Sequence, residues 1–192
     1  NNFTQGRRTP NVVAACLYLV CRRHKTPHML IDFSDVLQAN LFVLGNTFFR
    51  LCRLLRMQPP LIDPSLYIHR FAAALNLGDL ENDVATTALR LVQRMKRDWM
   101  QIGRRPAGIC GAALYIAARI HRVQVDKQLI LTTIKVCDMT LRRRVGEFQK
   151  THAATQTMQQ FLESNPEHKG EPEDDLTDET SENPPAYTQA RR

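Results

Sequence analysis

The sequence predicts an all-α protein built from two copies of one helical module. Three observations support this: an internal repeat, an uncharged apolar helix in each copy, and helical spacing of the apolar residues throughout. Residues 103–121 align without a gap with residues 6–24, which lie 97 positions earlier, so that Gly103 corresponds to Gly6. The identical residues in this alignment are Gly, Arg-Arg, Ala, Leu-Tyr, Arg and His. This period is too long for a solenoid unit and fits two small domains.

Each copy contains a helix that is predicted to be buried on all sides. Residues 12–21 and 109–118 carry no charge and no polar face. A helix without a polar face lies either in a membrane or at the centre of a bundle. Ten apolar residues are too few to cross a bilayer, so we expect two central helices and no membrane segment.

Helical spacing places the remaining elements in order along the chain. The first module, residues 1–57, shows three helices, and the proline-rich linker at 58–62 ends it. The second module, residues 63–152, shows five helices, and its last three correspond to the three of the first. We therefore expect the first module to be truncated, with two further helices upstream of residue 1. The predicted helices span 10–23, 31–39, 43–56, 63–77, 82–102, 106–121, 126–136, 140–150.

The charge of the chain is unevenly distributed. The 192 residues carry a formal net charge of +7. Residues 164–192 hold eight acids and three bases, a net −5, so residues 1–163 hold 23 bases and 11 acids, a net +12. A folded part this basic favours a polyanionic partner, nucleic acid first, with solubility alone as the alternative. The acidic end, within residues 153–192, is predicted to be a short segment and a disordered tail.

The cysteines and the missing catalytic motifs narrow the class of protein. Five cysteines occur without a disulfide-like spacing, which indicates a reducing compartment. Cys16, Cys21, His24 and His28 could suggest zinc, but core packing is favoured because two of them lie within the apolar run. No phosphate loop, HExxH motif or serine nucleophile motif is present. We expect no enzyme activity, no metal and no cofactor in this stretch.

The last two predicted helices, separated by residues 137–139, have the spacing of a helix-turn-helix. The second of them opens with Arg142, Arg143 and Arg144. Arginines in a first turn oppose the helix dipole by roughly 0.3–1 kcal/mol each, so folding does not require them there. DNA docking does, because a recognition helix directs its N-terminal residues toward the major groove. These three residues and Lys135 are therefore predicted to bind DNA.

Two further pairs of basic residues stand just before the central helices. Arg104 and Arg105 precede the second, and Arg7 and Arg8 precede the first. Either a DNA phosphate or a buried carboxylate partner would explain such a position.

The first module lacks the arginine cluster. It has Gly45, Asn46 and Thr47 at the positions equivalent to Arg142, Arg143 and Arg144. We therefore expect the second module to bind DNA more strongly and the first to be more available for protein partners.

These residues resemble a known family. Residues 14–22, 26–35, 87–100 and 103–121 are similar to the tandem cyclin-like repeats of transcription factor IIB, and most of all to its Brf branch, the IIB-related factor of RNA polymerase III. The resemblance covers about residues 6–152 and implies five helices around a central one in each complete repeat. It also implies a nuclear initiation factor that binds the TATA-binding protein on promoter DNA, helps to recruit RNA polymerase III and contacts another subunit of transcription factor IIIB.

Two features of the family are not found in these residues, and two alternative functions remain. The family's N-terminal zinc ribbon, which would carry the only expected zinc, and the downstream Brf region have no counterpart in these residues. A generic IIB-like factor for RNA polymerase II is one alternative. A cyclin-like regulatory subunit of a kinase is the other, although a kinase partner would not require a basic surface.

Overall fold

A computed structural model describes residues 3–151 together with Ala154 and Phe161. These residues form eight α-helices and one short 3₁₀ turn, Gly78–Leu80, and they contain no strand, which confirms the all-α class. The predicted disordered tail lies outside the described residues. The helices are α1 Thr9–Arg23, α2 Leu30–Leu37, α3 Leu41–Leu54, α4 Ser65–Ala74, α5 Glu81–Arg97, α6 Pro106–Ile120, α7 Lys127–Ile134 and α8 Asp138–Phe148.

The chain divides into two compact units, Asn1–Leu66 and Tyr67–Arg192. The first contains α1, α2 and α3, and residues 57–63 after α3 have no helical structure. The second contains α5 to α8 and nearly all of α4. None of the helices described is long and apolar enough to cross a membrane.

The internal repeat extends to the caps of the helices. The helices α1, α2 and α3 begin 97 positions before α6, α7 and α8, and α1 and α2 also end at the equivalent residue. Three pairs of equivalent residues adopt positive φ angles: Gly6 and Gly103 (74° and 68°), Lys25 and Arg122 (51° and 57°), Gln38 and Lys135 (48° and 59°). Because a positive φ is uncommon for residues other than glycine, these coincidences indicate one backbone design used twice.

The central helix of the second unit is buried as predicted. Cys110, Leu114 and Ala117 on α6 have no exposed surface. The helices α5, α7 and α8 all pack against α6, and α5 makes the most extensive contact. The small residues of α6 permit this close approach, since a Cβ at Gly108 would lie 3.2 Å from the Thr140 side chain on α8.

The prediction of all-round burial is wrong for α1. Val13, Leu17 and Val20, the equivalents of the three buried α6 residues, are 51%, 53% and 52% exposed. In the described part of the first unit α1 packs against α2 and α3, and no helix there takes the place that α5 has on α6. The apolar composition of a helix predicts which surfaces favour burial, whereas its neighbours decide which are buried.

Candidate nucleic-acid interface

The helix-turn-helix is present, but its second helix begins earlier than predicted. The turn comprises Lys135, Val136 and Cys137, and α8 begins at Asp138 rather than at Thr140. Asp138 forms ion pairs with Lys127 on α7 and with Arg142, which holds this end of α8 against the preceding helix. The three arginines therefore lie in the second turn of α8, so the dipole argument for their position does not apply.

The helical phase of α8 separates its arginines. Leu141, Arg144 and Phe148 lie at spacings of three and four residues and are 1%, 9% and 6% exposed. Arg142 and Arg143 fall on the opposite face and are exposed to solvent. The side chain of Arg142 retains 73% exposure despite its 2.8 Å contact with Asp138. Since an exposed pair of this kind contributes little, both guanidinium groups are available to a polyanion.

Arg144 belongs to a buried cluster of charges. Its Nη1 lies 2.6 Å from Oε2 of Glu147, and Nη2 of Arg104 lies 3.2 Å from Oε1 of the same carboxylate. Burial lowers the pKa of the Arg144 guanidinium below its ordinary value, and the charge of Glu147 opposes that shift. An arginine remains charged under such a shift, so one carboxylate is shared by two cations.

The cluster corrects the interpretation of the arginine run. The expectation that no intramolecular contact explains these arginines is wrong for Arg144, because Glu147 is its partner. Of the two explanations for Arg104, the buried carboxylate is observed. Sequence reasoning missed Glu147, although a signal was available: Leu141 and Phe148 set the phase of the helix and place residues 144 and 147 on its inner face.

The other predicted DNA-binding residues are exposed or half-buried at the ends of helices. Lys135 is exposed in the turn, and Arg105 is exposed as the residue preceding α6. In the first unit, Arg8 is exposed before α1. Arg7 donates to the Phe3 carbonyl and lies 4.4 Å from the centroid of its ring. In the second unit, Arg104, Arg143 and Arg144 line one cavity, which Lys135 and Arg105 do not.

The three positions of the first unit that are equivalent to the arginine run carry no charge. Thr47, at the position of Arg144, is buried and donates its hydroxyl to the Val43 carbonyl at 2.9 Å. Gly45 and Asn46 stand where the exposed Arg142 and Arg143 stand in the second unit. The basic helix-turn-helix is therefore a property of the second unit.

Cys137, which precedes α8, is an exposed thiol at this surface. Its Sγ lies 3.0 Å from Oγ1 of Thr140, and this hydrogen bond is the main cause that lowers the pKa of Cys137 below that of an ordinary thiol. Because the thiolate is the reactive form, we expect Cys137 to react with iodoacetamide at a lower pH than an ordinary cysteine does. The Thr140→Val variant should shift the pH dependence of this reaction to higher pH, as measured by peptide mass spectrometry. An unchanged profile in that variant would contradict this account.

The described residues contain no group of three or more His, Cys, Asp or Glu side chains that could hold a metal ion. Cys16, which the sequence placed within a central helix, is exposed, and Cys21 is partly buried.

Fold and surface together define an all-helical, tandem-repeat protein whose second unit presents a basic helix-turn-helix. Comparison with protein families agrees with this class. The model of the transcription factor TFIIB repeat matches residues 1–53 and again residues 57–151. The chain therefore belongs to the TFIIB-repeat family, and the resemblance is confirmed.

Curated relatives place the chain within one branch of that family. It is 55% identical to the transcription factor IIIB 60 kDa subunit of Schizosaccharomyces pombe over 84% of this chain and 33% of that protein. It is 48% identical to the human transcription factor IIIB 90 kDa subunit over 100% of this chain and 26% of that protein. With the 70 kDa subunit of Saccharomyces cerevisiae it shares 45% identity over 87% of this chain and 28% of that protein.

The chain thus spans about a quarter to a third of the length of these relatives. All three are named as subunits of a transcription factor, which agrees with the prediction that the chain is not an enzyme.

Proposed function

We propose that this chain is the core of a general transcription initiation factor for RNA polymerase III. It binds promoter DNA together with the TATA-binding protein, contacts another subunit of transcription factor IIIB, helps to recruit the polymerase and acts in the nucleus. The observation that carries the proposal is the exposed arginine pair on α8, in a chain whose relatives are named as transcription factor IIIB subunits. This activity requires no cofactor within these residues.

The position of the exposed arginines supports DNA as the partner of the second unit. Arg142 and Arg143 project from the second helix of a helix-turn-helix, the element that such folds place in the major groove. Arginine can bind phosphates and can also bind the edge of guanine through two hydrogen bonds. A kinase regulator would not require such a surface, and a polymerase II factor accounts less well for the names of the relatives.

Replacing both exposed arginines tests this proposal. We expect Arg142→Ala with Arg143→Ala to weaken binding to a TATA-containing duplex, with and without TATA-binding protein. The salt dependence should also fall by about 2 in slope, because two phosphate contacts are lost. Fluorescence anisotropy between low and physiological salt gives both quantities.

The matched control is Arg50→Ala with Arg53→Ala. Both are exposed arginines in the last two turns of α3 in the first unit. This variant should bind nearly as the parent chain does. Equal losses from the two variants would show that net charge alone drives binding. Absence of binding to any duplex at low salt would refute the proposed function.

A further inference from the structure

A cavity of about 440 Å³ lies beside the inner edge of α8. Its described lining contains four cations and one acid, a net charge of +3. The residues that line it are Arg104, Arg143, Arg144, Gly146, Glu147 and Lys150. Concave surfaces lined by one sign of charge concentrate the field and attract ions of the opposite sign.

The floor of the cavity holds a cation whose hydrogen bonding is incomplete. Arg144 is 9% exposed, and its Nε and Nη1 atoms make no hydrogen bond of suitable geometry to a described residue. The close contact between Nη1 and Glu147 is therefore an attraction of charges without an aligned hydrogen bond. The single carboxylate is already shared with Arg104, so the floor has surplus donors and surplus positive charge.

The rim of the cavity carries two exposed cations, one on each side of a glycine. Arg143 and Lys150 make no ion pair with a described residue, and Gly146 lies between them at helical spacing. A Cβ built at Gly146 has no atom within 4 Å, so the mouth of the cavity is open at this point. The donors of floor and rim thus surround a space that can be entered from solvent.

The first unit keeps a cation at two of the equivalent positions, Arg7 for Arg104 and Arg53 for Lys150, but it lacks the buried arginine and the open mouth. Thr47 replaces the buried Arg144, and Phe49, which is 65% exposed, replaces Gly146. The open mouth and the charged floor are therefore features that distinguish the second unit from the first.

We propose that this cavity is a phosphate-binding pocket that takes one phosphodiester group of the DNA backbone. A phosphodiester supplies several acceptor oxygens and one negative charge, which matches the surplus donors and charge of the lining. Arg143 and Lys150 contact the phosphate at the rim, and Glu147 holds Arg104 and Arg144 in place below it. This inference rests on the proposed function, since it assigns one phosphate contact within that DNA complex.

Two variants test the pocket without removing its buried cluster. Lys150→Gln removes one rim charge, and Gly146→Phe fills the mouth with the residue that the first unit carries there. Both should fold, because the first changes an exposed side chain and the second extends into open space; thermal unfolding checks this. The repeat-equivalent control is Arg53→Gln in the first unit.

The DNA probe is a TATA-containing duplex in which one phosphate at a time is replaced by a neutral methylphosphonate. With the 192-residue chain we expect one replacement to weaken binding roughly tenfold to a hundredfold, as the loss of a charge-assisted hydrogen bond implies. Lys150→Gln and Gly146→Phe should weaken binding to unmodified DNA by a similar factor. Replacing that same phosphate should then cause no further loss in either variant, whereas Arg53→Gln should behave as the parent chain.

The outcomes separate the pocket from the proposed function. Suppose that the parent chain binds DNA and that each methylphosphonate lowers the affinity of both variants as much as it lowers that of the parent chain. The phosphate-binding pocket is then refuted, and the proposed function stands. If no duplex binds at low salt, the proposed function is refuted and the pocket with it.

Discussion

Replacing Leu114 by alanine should lower the free energy of unfolding of the second unit by about 3–5 kcal/mol. Leu114 has no exposed surface and lies at the middle of α6, where α5, α7 and α8 pack. The change removes apolar burial and leaves a cavity that the surrounding helices fill only in part. Among single substitutions in the described core, this is one of the largest effects that we expect.

The repeat supplies a matched control for this prediction. Leu17, 97 positions earlier, has the same side chain at the equivalent site of α1, yet it is 53% exposed. Leu17→Ala should cost about 1 kcal/mol, because roughly half of its surface is already in water. Urea denaturation followed by circular dichroism measures both variants, and the fluorescence of Trp99, the single tryptophan, reports on the second unit. Equal costs would contradict the difference in burial between α1 and α6.

Replacing Glu147 by alanine should destabilise the second unit by about 3 kcal/mol. The substitution leaves Arg144 buried without a counter-charge and removes the partner of Arg104. Removing one member of a buried ion pair is costly because the remaining charge is neither solvated nor paired. The same denaturation experiment measures this effect.

Two controls separate burial from charge alone. Asp138→Ala removes a half-buried partner of Arg142 and Lys127 and should cost less, because water solvates the Arg142 side chain that is left behind. Combining Glu147→Leu with Arg144→Met should recover much of the loss, since apolar residues of similar size often replace a buried pair without penalty. If Glu147→Ala unfolds at the same urea concentration as the parent chain, Arg144 and Glu147 do not form a buried pair.

The sequence was sufficient to predict most of the fold. The gapless repeat predicted two modules, and the capping and apolar spacing placed all eight helices. The starts of α1, α2, α6 and α7 fall within one residue of prediction, because a proline near the start of α1 and α6 and the apolar spacing of α2 and α7 mark them. The start of α8 was predicted two residues late, because Thr140 has the chemistry of an N-cap while Cys137 does not.

Burial was predicted less well than helix positions, because it depends on neighbours that local pattern does not specify. Val36 is an apolar residue of α2, which packs against α1 and α3, yet it is 84% exposed. Val13 and Cys110 show the same dependence, since equivalent apolar positions are half exposed on α1 and fully buried on α6. Both side chains of this pair are apolar, and the helix α5 that packs on α6 has no counterpart on α1 among the described residues.

In the candidate site, too, the positions of the arginines could be predicted from the sequence better than their burial. Composition and position drew attention to Arg142 and Arg143, which the structure leaves exposed on the helix-turn-helix, and their contact with DNA stays a prediction. Arg144 was grouped with them by sequence adjacency, although helical phase places it against the core beside Glu147. Adjacent residues on a helix point about 100° apart, so a run of like charges is not a single surface.

The central claim is that the second unit rather than the first contacts DNA through its helix-turn-helix. Met139 in the first turn of α8 and Phe42 in the first turn of α3 are repeat equivalents, 62% and 75% exposed. A photo-crosslinking benzophenone amino acid placed at each position, in complexes with TATA-binding protein on a TATA-containing duplex, compares the two units directly. We predict that position 139 crosslinks to DNA and position 42 does not. Crosslinking of DNA from position 42 alone, or equally from both, would contradict the claim.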